Sequence, residues 1–199
     1  MNRKEKSKME RDMSDERFMV LRALAVETYS ILEQRLSNLF AILMGCSRQK
    51  AGIVFYKIVK SSVRNTVISR LRRAEFGDEY AKWWSGILKH IRELDRDRNR
   101  IVHWHMASNV GETPDYFSLI APDLYRESSR DREIKESDLE DFIRKGQFIY
   151  RSISMFCAHL TSELPAPWPD IFQRAVTYPP APDHPLALRQ HTPESPLSA

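Results

Sequence analysis

The sequence has little cysteine and no long apolar run, and both features narrow the classes of protein it can encode. Its two cysteines, Cys46 and Cys157, lie far apart in apolar surroundings, without a CxxC pair or a nearby Cys/His cluster. This argues against a disulfide framework or a zinc site, so we predict two small core residues. No stretch reaches the roughly 18 uninterrupted apolar residues of a spanning helix, and the charged residues 1–17 lack the pattern of a secretion signal. We therefore expect a cytoplasmic protein without a membrane partner.

Glycine is also scarce, with six residues, and none of them forms a glycine-rich phosphate loop. We accordingly expect no cofactor and no bound metal. The 199 residues suit one domain, and a composition of 42% hydrophobic and 29% charged residues is typical of a globular chain. The net charge of +4 is mildly basic, which favours acidic partners such as nucleic acid without requiring them.

Apolar residues between Ser14 and Met44 recur at intervals of three and four, which predicts a long amphipathic helix ended by Gly45. Its predicted buried stripe consists of Phe18, Leu21, Leu24, Ala25, Thr28, Leu32, Leu36, Leu39 and Leu43. Ser47 can cap the next helix, and the helix-compatible residues 48–76 end at Gly77. Because Gly52 and several β-branched residues weaken that segment, we expect it to form one helix or two.

A third helix is predicted to open at Asp78 and to run into the charged residues 95–100. Its apolar stripe is Tyr80, Trp84, Ile87, Leu88, Ile91 and Leu94. Adjacent residues on a helix face different ways, so we assign Trp84 to the core and Trp83 to a subunit contact.

The helical periodicity stops after Met106, where residues 108–114 have the composition of a turn and predict a small β-hairpin. Residues 137–140 then fit a capping box, which opens a last amphipathic helix reaching about Leu164. Nine of the eleven prolines lie between Pro165 and Pro196, so that segment cannot be helical throughout.

These patterns predict an all-α fold with three parts. Residues 1–13 form a charged, flexible N-terminus, and residues 14–164 form a bundle of four to five helices with the small hairpin after the third long helix. Residues 165–199 form a proline-rich tail that we expect to be disordered.

One segment of the third helix carries residues suited to catalysis. At 100° per residue, Arg98 falls on the apolar stripe, so it must be paired or must line a cleft, and Asp95 is a candidate partner. Asn99 and His103 are four residues apart and are neighbours if the helix continues that far. Histidine, arginine and asparagine suit cleavage of RNA by its own 2′-hydroxyl, because they can move a proton, bind the phosphate and orient it without a metal.

The segment Arg98-Asn99-Arg100-Ile101-Val102-His103 resembles the R-x(4-6)-H motif of the HEPN superfamily. The resemblance covers roughly Ser14 to Leu164. It implies a helical bundle and a metal-independent endoribonuclease, in a toxin or phage-defence setting with an antitoxin or other protein partner. It also implies a homodimer in which two motifs meet in one cleft. By this resemblance Arg98 and His103 are catalytic and Asn99 supports them.

Other registers of the motif stay open, because Arg96 with His103, and Arg98 or Arg100 with His105, also fit the spacing. His105 lies about 20° from Arg98 on the helical wheel and is the weaker catalytic candidate: we favour a core histidine, with a ligand or the second catalytic group as alternatives. It also stands where some toxin members of the family have tyrosine.

Two further expectations complete the predicted site. Candidate RNA-binding residues are Lys60, Arg64, Arg70 and Arg100. Most of them belong to a basic group spread around one helix, for which a solvated face is an alternative. The alternative function is a non-catalytic helical module for protein or RNA interaction, in which Asp95 neutralises Arg98.

Overall fold

The computed structural model describes residues 3–109, 116–122, 133–163, 168–182 and 184–187. The described chain is mainly helical, as predicted, and its helices are α1 Arg3–Leu43, α2 Arg48–Lys57, α3 Ser61–Phe76, α4 Ala81–His103 and α5 Glu136–Leu160. Three short strands lie between α4 and α5, namely β1 His105–Asn109, β2 Tyr116–Ile120 and β3 Glu133–Ile134. A 3₁₀ helix follows at Trp168–Gln173.

Several helix ends form where the sequence predicts them. Gly45 and Gly77 have φ angles of +59° and +60°, which L side chains adopt only with strain. Gly77 directly follows α3, and Gly45 is the second residue after α1. The Ser47 hydroxyl accepts a hydrogen bond from the backbone N–H of Lys50 at 3.4 Å and so caps α2. Residues 58–60 separate α2 from α3, which confirms the division into two helices.

The starts of α1, α4 and α5 differ from the prediction. α1 begins at Arg3 rather than near Ser14, because the lysines, arginines and glutamates before Ser14 are themselves good helix formers. α4 begins at Ala81, since Tyr80 has a φ of +61°, outside the helical region.

The N-terminus of α5 is capped two residues earlier than the sequence pattern predicts. The Asp138 carboxylate, not Glu140, reaches back to accept from the backbone N–H of Lys135 at 2.8 Å. The predicted capping box was wrong by two residues. The segment is rich in acids, and either Asp138 or Glu140 could accept from a backbone N–H at a helix start.

The chain divides into two compact units, whose boundaries fall inside α1, α4 and α5. The first unit contains residues 1–31 and 93–147. Its antiparallel sheet has the order β1-β2-β3, with His105 opposite Ile120 and Leu119 opposite Ile134. The predicted hairpin therefore forms and gains a third strand, while its turn at residues 110–115 lies outside the described residues.

The buried side chains of the first unit come from α1, α4, α5 and the sheet. They include Phe18, Ala25, Tyr29, Leu94, Ile101, Leu119, Ile134, Leu139 and Phe142. Four members of the predicted α1 stripe differ: Leu24 is 48% exposed, and Leu21, Thr28 and Leu43 are only partly buried, whereas Tyr29, outside the stripe, is buried. Val20, Leu24 and Ile31, spaced four and seven residues apart, instead form an exposed apolar face on α1.

The second unit contains residues 32–92 and 148–199, with all of α2 and α3. Trp83 and Trp84 are both buried there, so the predicted subunit contact at Trp83 is wrong. The Trp83 ring lies 4.4 Å from that of Phe156 on α5, while the Trp84 indole N–H donates to the Ser69 hydroxyl on α3 at 2.9 Å. Because this part of α4 is covered on two sides, adjacent residues can both be core.

Part of the proline-rich segment packs within the second unit. Phe172 and Val176 are buried. Gly86 on α4 permits this contact, because a Cβ there would lie 2.7 Å from the Val176 carbonyl oxygen. Part of the tail predicted to be disordered is thus packed, around Phe172 and Val176, while residues 164–167, 183 and 188–199 lie outside the described residues. No described helix is long and apolar enough to cross a membrane.

Candidate active site at the end of helix α4

The last two turns of α4 carry the residues of the motif. α4 extends to His103, which meets the condition under which Asn99 and His103 become neighbours one turn apart. Both side chains are exposed, so an extended substrate could reach them.

Arg98 is half-buried rather than central in the core. The buried stripe follows Leu94 and Ile101 at this end of α4, which places Arg98 about 50° to one side of it. The Arg98 Cζ atom lies 5.8 Å from the centroid of the Tyr29 ring on α1, and Nη1 donates to Asn99 Oδ1 at 3.3 Å. The ring and the amide thereby hold the guanidinium beside the exposed face of α4.

Asp95 has a different partner from the one the sequence suggested. The Tyr29 hydroxyl donates a hydrogen bond to the Asp95 carboxylate. Within the described part of the chain Arg98 and Asp95 form no ion pair, so the neutralising pair predicted for a non-catalytic module is wrong. Tyr29 contacts both residues instead: its ring lies under Arg98, and its hydroxyl binds Asp95.

Arg22 on α1 holds the C-terminus of α4. Its guanidinium donates to three backbone carbonyl oxygens, those of Ile101 at 3.0 Å, Val102 at 3.2 Å and Trp104 at 3.0 Å. The carbonyl groups of a last helical turn have no hydrogen-bond donor within the helix, and they carry partial negative charge. A guanidinium from a neighbouring helix supplies both the donors and a positive charge. Arg22 therefore fixes the turn from which His103 projects.

Sequence reasoning identified neither Tyr29 nor Arg22. The only available signal was weak: Arg22 interrupts the apolar residues 20–26 of α1. Its targets are backbone groups, which have no sequence signature, and the Tyr29 contact depends on how α1 and α4 are aligned within this unit.

A cavity of about 250 Å³ lies in the same unit, between α4, β3 and α5. Asp97, Glu133, Asp138 and Asp141 are among the side chains that line it, whereas Arg98, Asn99 and His103 are not. The cavity is also lined by two basic residues, Arg100 and Lys145, and by the apolar Leu94, Ile101, Ile134 and Phe142. Four carboxylates against two bases make it a poor site for a phosphate group.

The weaker candidates are distributed as follows. His105 is exposed on β1, beyond the end of α4, so the interpretation of His105 as a core histidine is wrong. Arg100 lies 3.8 Å from Asp97 and its Cζ atom is 5.4 Å from the Trp104 ring centroid. Arg100 is therefore already engaged by a carboxylate and a ring.

The other predicted RNA-binding residues belong to the second unit. Lys60 and Arg70 are exposed, whereas the Arg64 side chain is only 12% exposed and forms an ion pair with Glu33. Its Cζ atom also lies 5.0 Å from the centroid of the Phe55 ring. The charge of Arg64 is therefore neutralised within the protein.

No protein-family model, curated protein or solved structure matches the chain. Within the described residues, no group of three or more His, Cys, Asp or Glu side chains is arranged to hold a metal ion. Assignment of a function therefore depends on the motif and its geometry.

Proposed function

We propose that the chain is an endoribonuclease of the HEPN type, which cleaves RNA by attack of a 2′-hydroxyl on the adjacent phosphate. The observation that carries the proposal is the Arg98 guanidinium, held by the Tyr29 ring and the Asn99 amide, one to two turns from an exposed histidine on the same helix. A positioned cation and an accessible proton carrier are the two groups that this reaction requires.

Each motif residue has a distinct role in this proposal. His103 accepts the proton of the 2′-hydroxyl as its oxygen bonds to phosphorus, or donates a proton to the departing 5′-oxygen. Arg98 stabilises the negative charge that grows on the phosphate oxygens, and Asn99 orients the phosphate. Arg22 and Tyr29 position these groups without touching the substrate.

The charges in the first unit favour the exposed face of α4 as the RNA site. The cavity is rich in carboxylates and repels phosphate, whereas no acidic residue occurs from Arg98 to Asn109. A phosphodiester is therefore directed to the side of α4 that carries Asn99 and His103.

A homodimer is part of the proposal, because each chain provides one motif histidine and the reaction uses both an acid and a base. The exposed apolar face of α1, formed by Val20, Leu24 and Ile31, does not provide this arrangement, because it lies about 180° around α1 from Arg22 and Tyr29, which contact α4. The two motifs would instead meet through the exposed side of α4 that carries Asn99 and His103. Sedimentation of the wild-type chain tests the dimer, and a monomer that cleaves RNA at the full rate would contradict it.

Cleavage of labelled RNA in the presence of EDTA tests the proposed function. We expect His103→Ala to lower the rate by about 10²- to 10⁴-fold and Arg98→Ala by about 10²- to 10³-fold. His105→Ala is the matched control, since it removes an exposed histidine from the adjacent strand, and it should retain activity. No cleavage by the wild-type chain, or undiminished cleavage by His103→Ala, would contradict the proposal.

The biological setting is a separate matter. A role as a toxin or in phage defence, and an antitoxin as partner, stay predictions from the family resemblance alone. The competing function, a non-catalytic interaction module, predicts no cleavage by any variant.

A further inference from the structure

Helix α2 presents three large apolar side chains to solvent. Ala51 and Phe55 are buried against the second unit, whereas Ile53, Val54 and Tyr56 point outward and are 64%, 51% and 54% exposed. A helix that packs on one side normally exposes its polar residues. The outward face of α2 therefore has the composition of a contact surface.

The apolar surface continues beyond the end of α2. Val59, in the connection to α3, is 88% exposed, and Val63 in the first turn of α3 is 44% exposed. We define Ile53, Val54, Tyr56, Val59 and Val63 together as the α2–α3 apolar surface. Contiguous exposed apolar side chains of this kind mark binding sites more often than isolated ones do.

The charges around this surface are predominantly positive, and Glu33, which lies near Tyr56, is paired with Arg64. Residues 34–74 contain nine Lys and Arg residues and no Asp or Glu, although the whole chain has a net charge of only +4. Lys50, Lys57 and Lys60 are exposed, and they form no ion pair with any described residue. Their positive charge is thus available to a partner.

We propose that the α2–α3 apolar surface docks on a phospholipid bilayer that carries acidic headgroups. Val59 and Ile53 enter the boundary between headgroups and acyl chains, while Lys57 and Lys60 contact the headgroup phosphates. Such peripheral binding needs no spanning helix, and it differs from the expectation of no membrane partner. The inference does not depend on ribonuclease activity.

The side chains favour lipid over nucleic acid. Single-stranded RNA binds proteins largely by stacking its bases on aromatic rings, and Tyr56 is the surface's one aromatic member. The other four members are aliphatic and β-branched, which gain free energy in hydrocarbon and offer no stacking plane. A second copy of the same surface would bring like charges together, which is unfavourable.

Co-sedimentation of the full chain with phosphatidylcholine vesicles, with and without phosphatidylserine, tests the proposal. We expect binding only when phosphatidylserine is present, and less of it at high salt. The double variant Lys57→Gln/Lys60→Gln should bind roughly 25-fold more weakly, because each base near an anionic surface contributes about fivefold. Lys82→Gln/Lys89→Gln removes the same charge from α4 and should bind as the wild type does.

Two substitutions of Val59 should change vesicle affinity in opposite directions, so each tests the proposal. Val59 is almost fully exposed, so its replacement does not disturb the core: Val59→Asn should weaken vesicle binding roughly tenfold, and Val59→Leu should preserve or strengthen it. Failure to bind phosphatidylserine vesicles, or equal binding by all variants, would overturn the proposal. Two further results would also overturn it. One is that Val59→Asn converts a wild-type dimer to a monomer while the wild type binds no vesicles. The other is that Lys57→Gln/Lys60→Gln loses RNA binding but binds vesicles as the wild type does.

Discussion

Arg22 on α1 donates its Nε–H to the carbonyl oxygen of Ile101, near the end of α4, over a distance of 3.0 Å. Two further bonds from the same guanidinium reach the carbonyls of Val102 and Trp104. The position of His103 therefore depends on a side chain from a distant part of the sequence.

Replacement of Arg22 should loosen the end of α4. Arg22→Gln loses charge-assisted hydrogen bonds to carbonyls that have no other partner in the helix, so we expect the free energy of unfolding to fall by about 2 kcal/mol. Urea denaturation measures this change. Arg17→Gln is the matched control on the same helix: Arg17 is exposed and pairs with Glu136 and Glu140 at the surface, which should contribute less than about 1 kcal/mol. Equal losses in the two variants would contradict the role given to Arg22.

Tyr29 is expected to act through its hydroxyl and its ring separately. Tyr29→Phe keeps the ring under Arg98 but leaves the Asp95 carboxylate without its donor, so it should lower stability by about 1–2 kcal/mol while retaining most RNA cleavage. Tyr29→Leu removes the ring as well and should lower cleavage further, because the guanidinium is then less restricted. Thermal unfolding and the cleavage rate are measured on both variants. Identical cleavage rates would show that the ring does not position Arg98.

Gly86 should control attachment of the segment that follows α5. Gly86→Ala places a methyl group 2.7 Å from the Val176 carbonyl oxygen, so residues near Val176 must move away and trypsin should cut at the exposed Arg174 more quickly. Gly52→Ala is the control, because no atom lies within 4 Å of the added methyl and a helical alanine should raise stability by about 0.5–1 kcal/mol. Unchanged trypsin cleavage of Gly86→Ala would be evidence against the packed segment.

Two buried acids of the second unit predict a loss of stability at alkaline pH. Burial raises the pKa of Tyr80 from 10.0 to about 12 and that of the Cys157 thiol from 9.0 to about 11. Because both pKa values are higher in the folded state, the stabilisation is complete below pH 9 and is lost as pH rises through 11 and 12. Melting temperatures across this range should fall, and Cys157→Ala should reduce the early part of the decline more than Cys46→Ala does. A flat profile in the wild-type chain would refute this.

The sequence predicted the helix ends that are determined by the residues at those ends. Gly45 and Gly77 adopt positive φ angles, and Ser47 caps α2, because each effect needs only the nearest backbone groups. The start of α5 was placed wrongly, since adjacent acids compete for the same cap and only the packed structure selects Asp138.

The sequence predicted the relations between site residues within α4, but not the contacts that other helices make with them. The relation of Asn99 to His103 follows from helical spacing, whereas the partner of Asp95 lies on α1 and could not be found by inspecting α4. Trp83 shows the same limit, because a helical wheel assumes one buried side and the second unit covers two sides of α4.

The most direct test of the central claim is cleavage of an RNA in which the nucleotide on the 5′ side of the cut lacks its 2′-hydroxyl. Attack by that hydroxyl predicts 2′,3′-cyclic phosphate ends from the unmodified RNA and no cut at the deoxy position, while neighbouring sites are still cleaved. Cleavage at the deoxy position at the normal rate would contradict the mechanism assigned to Arg98 and His103.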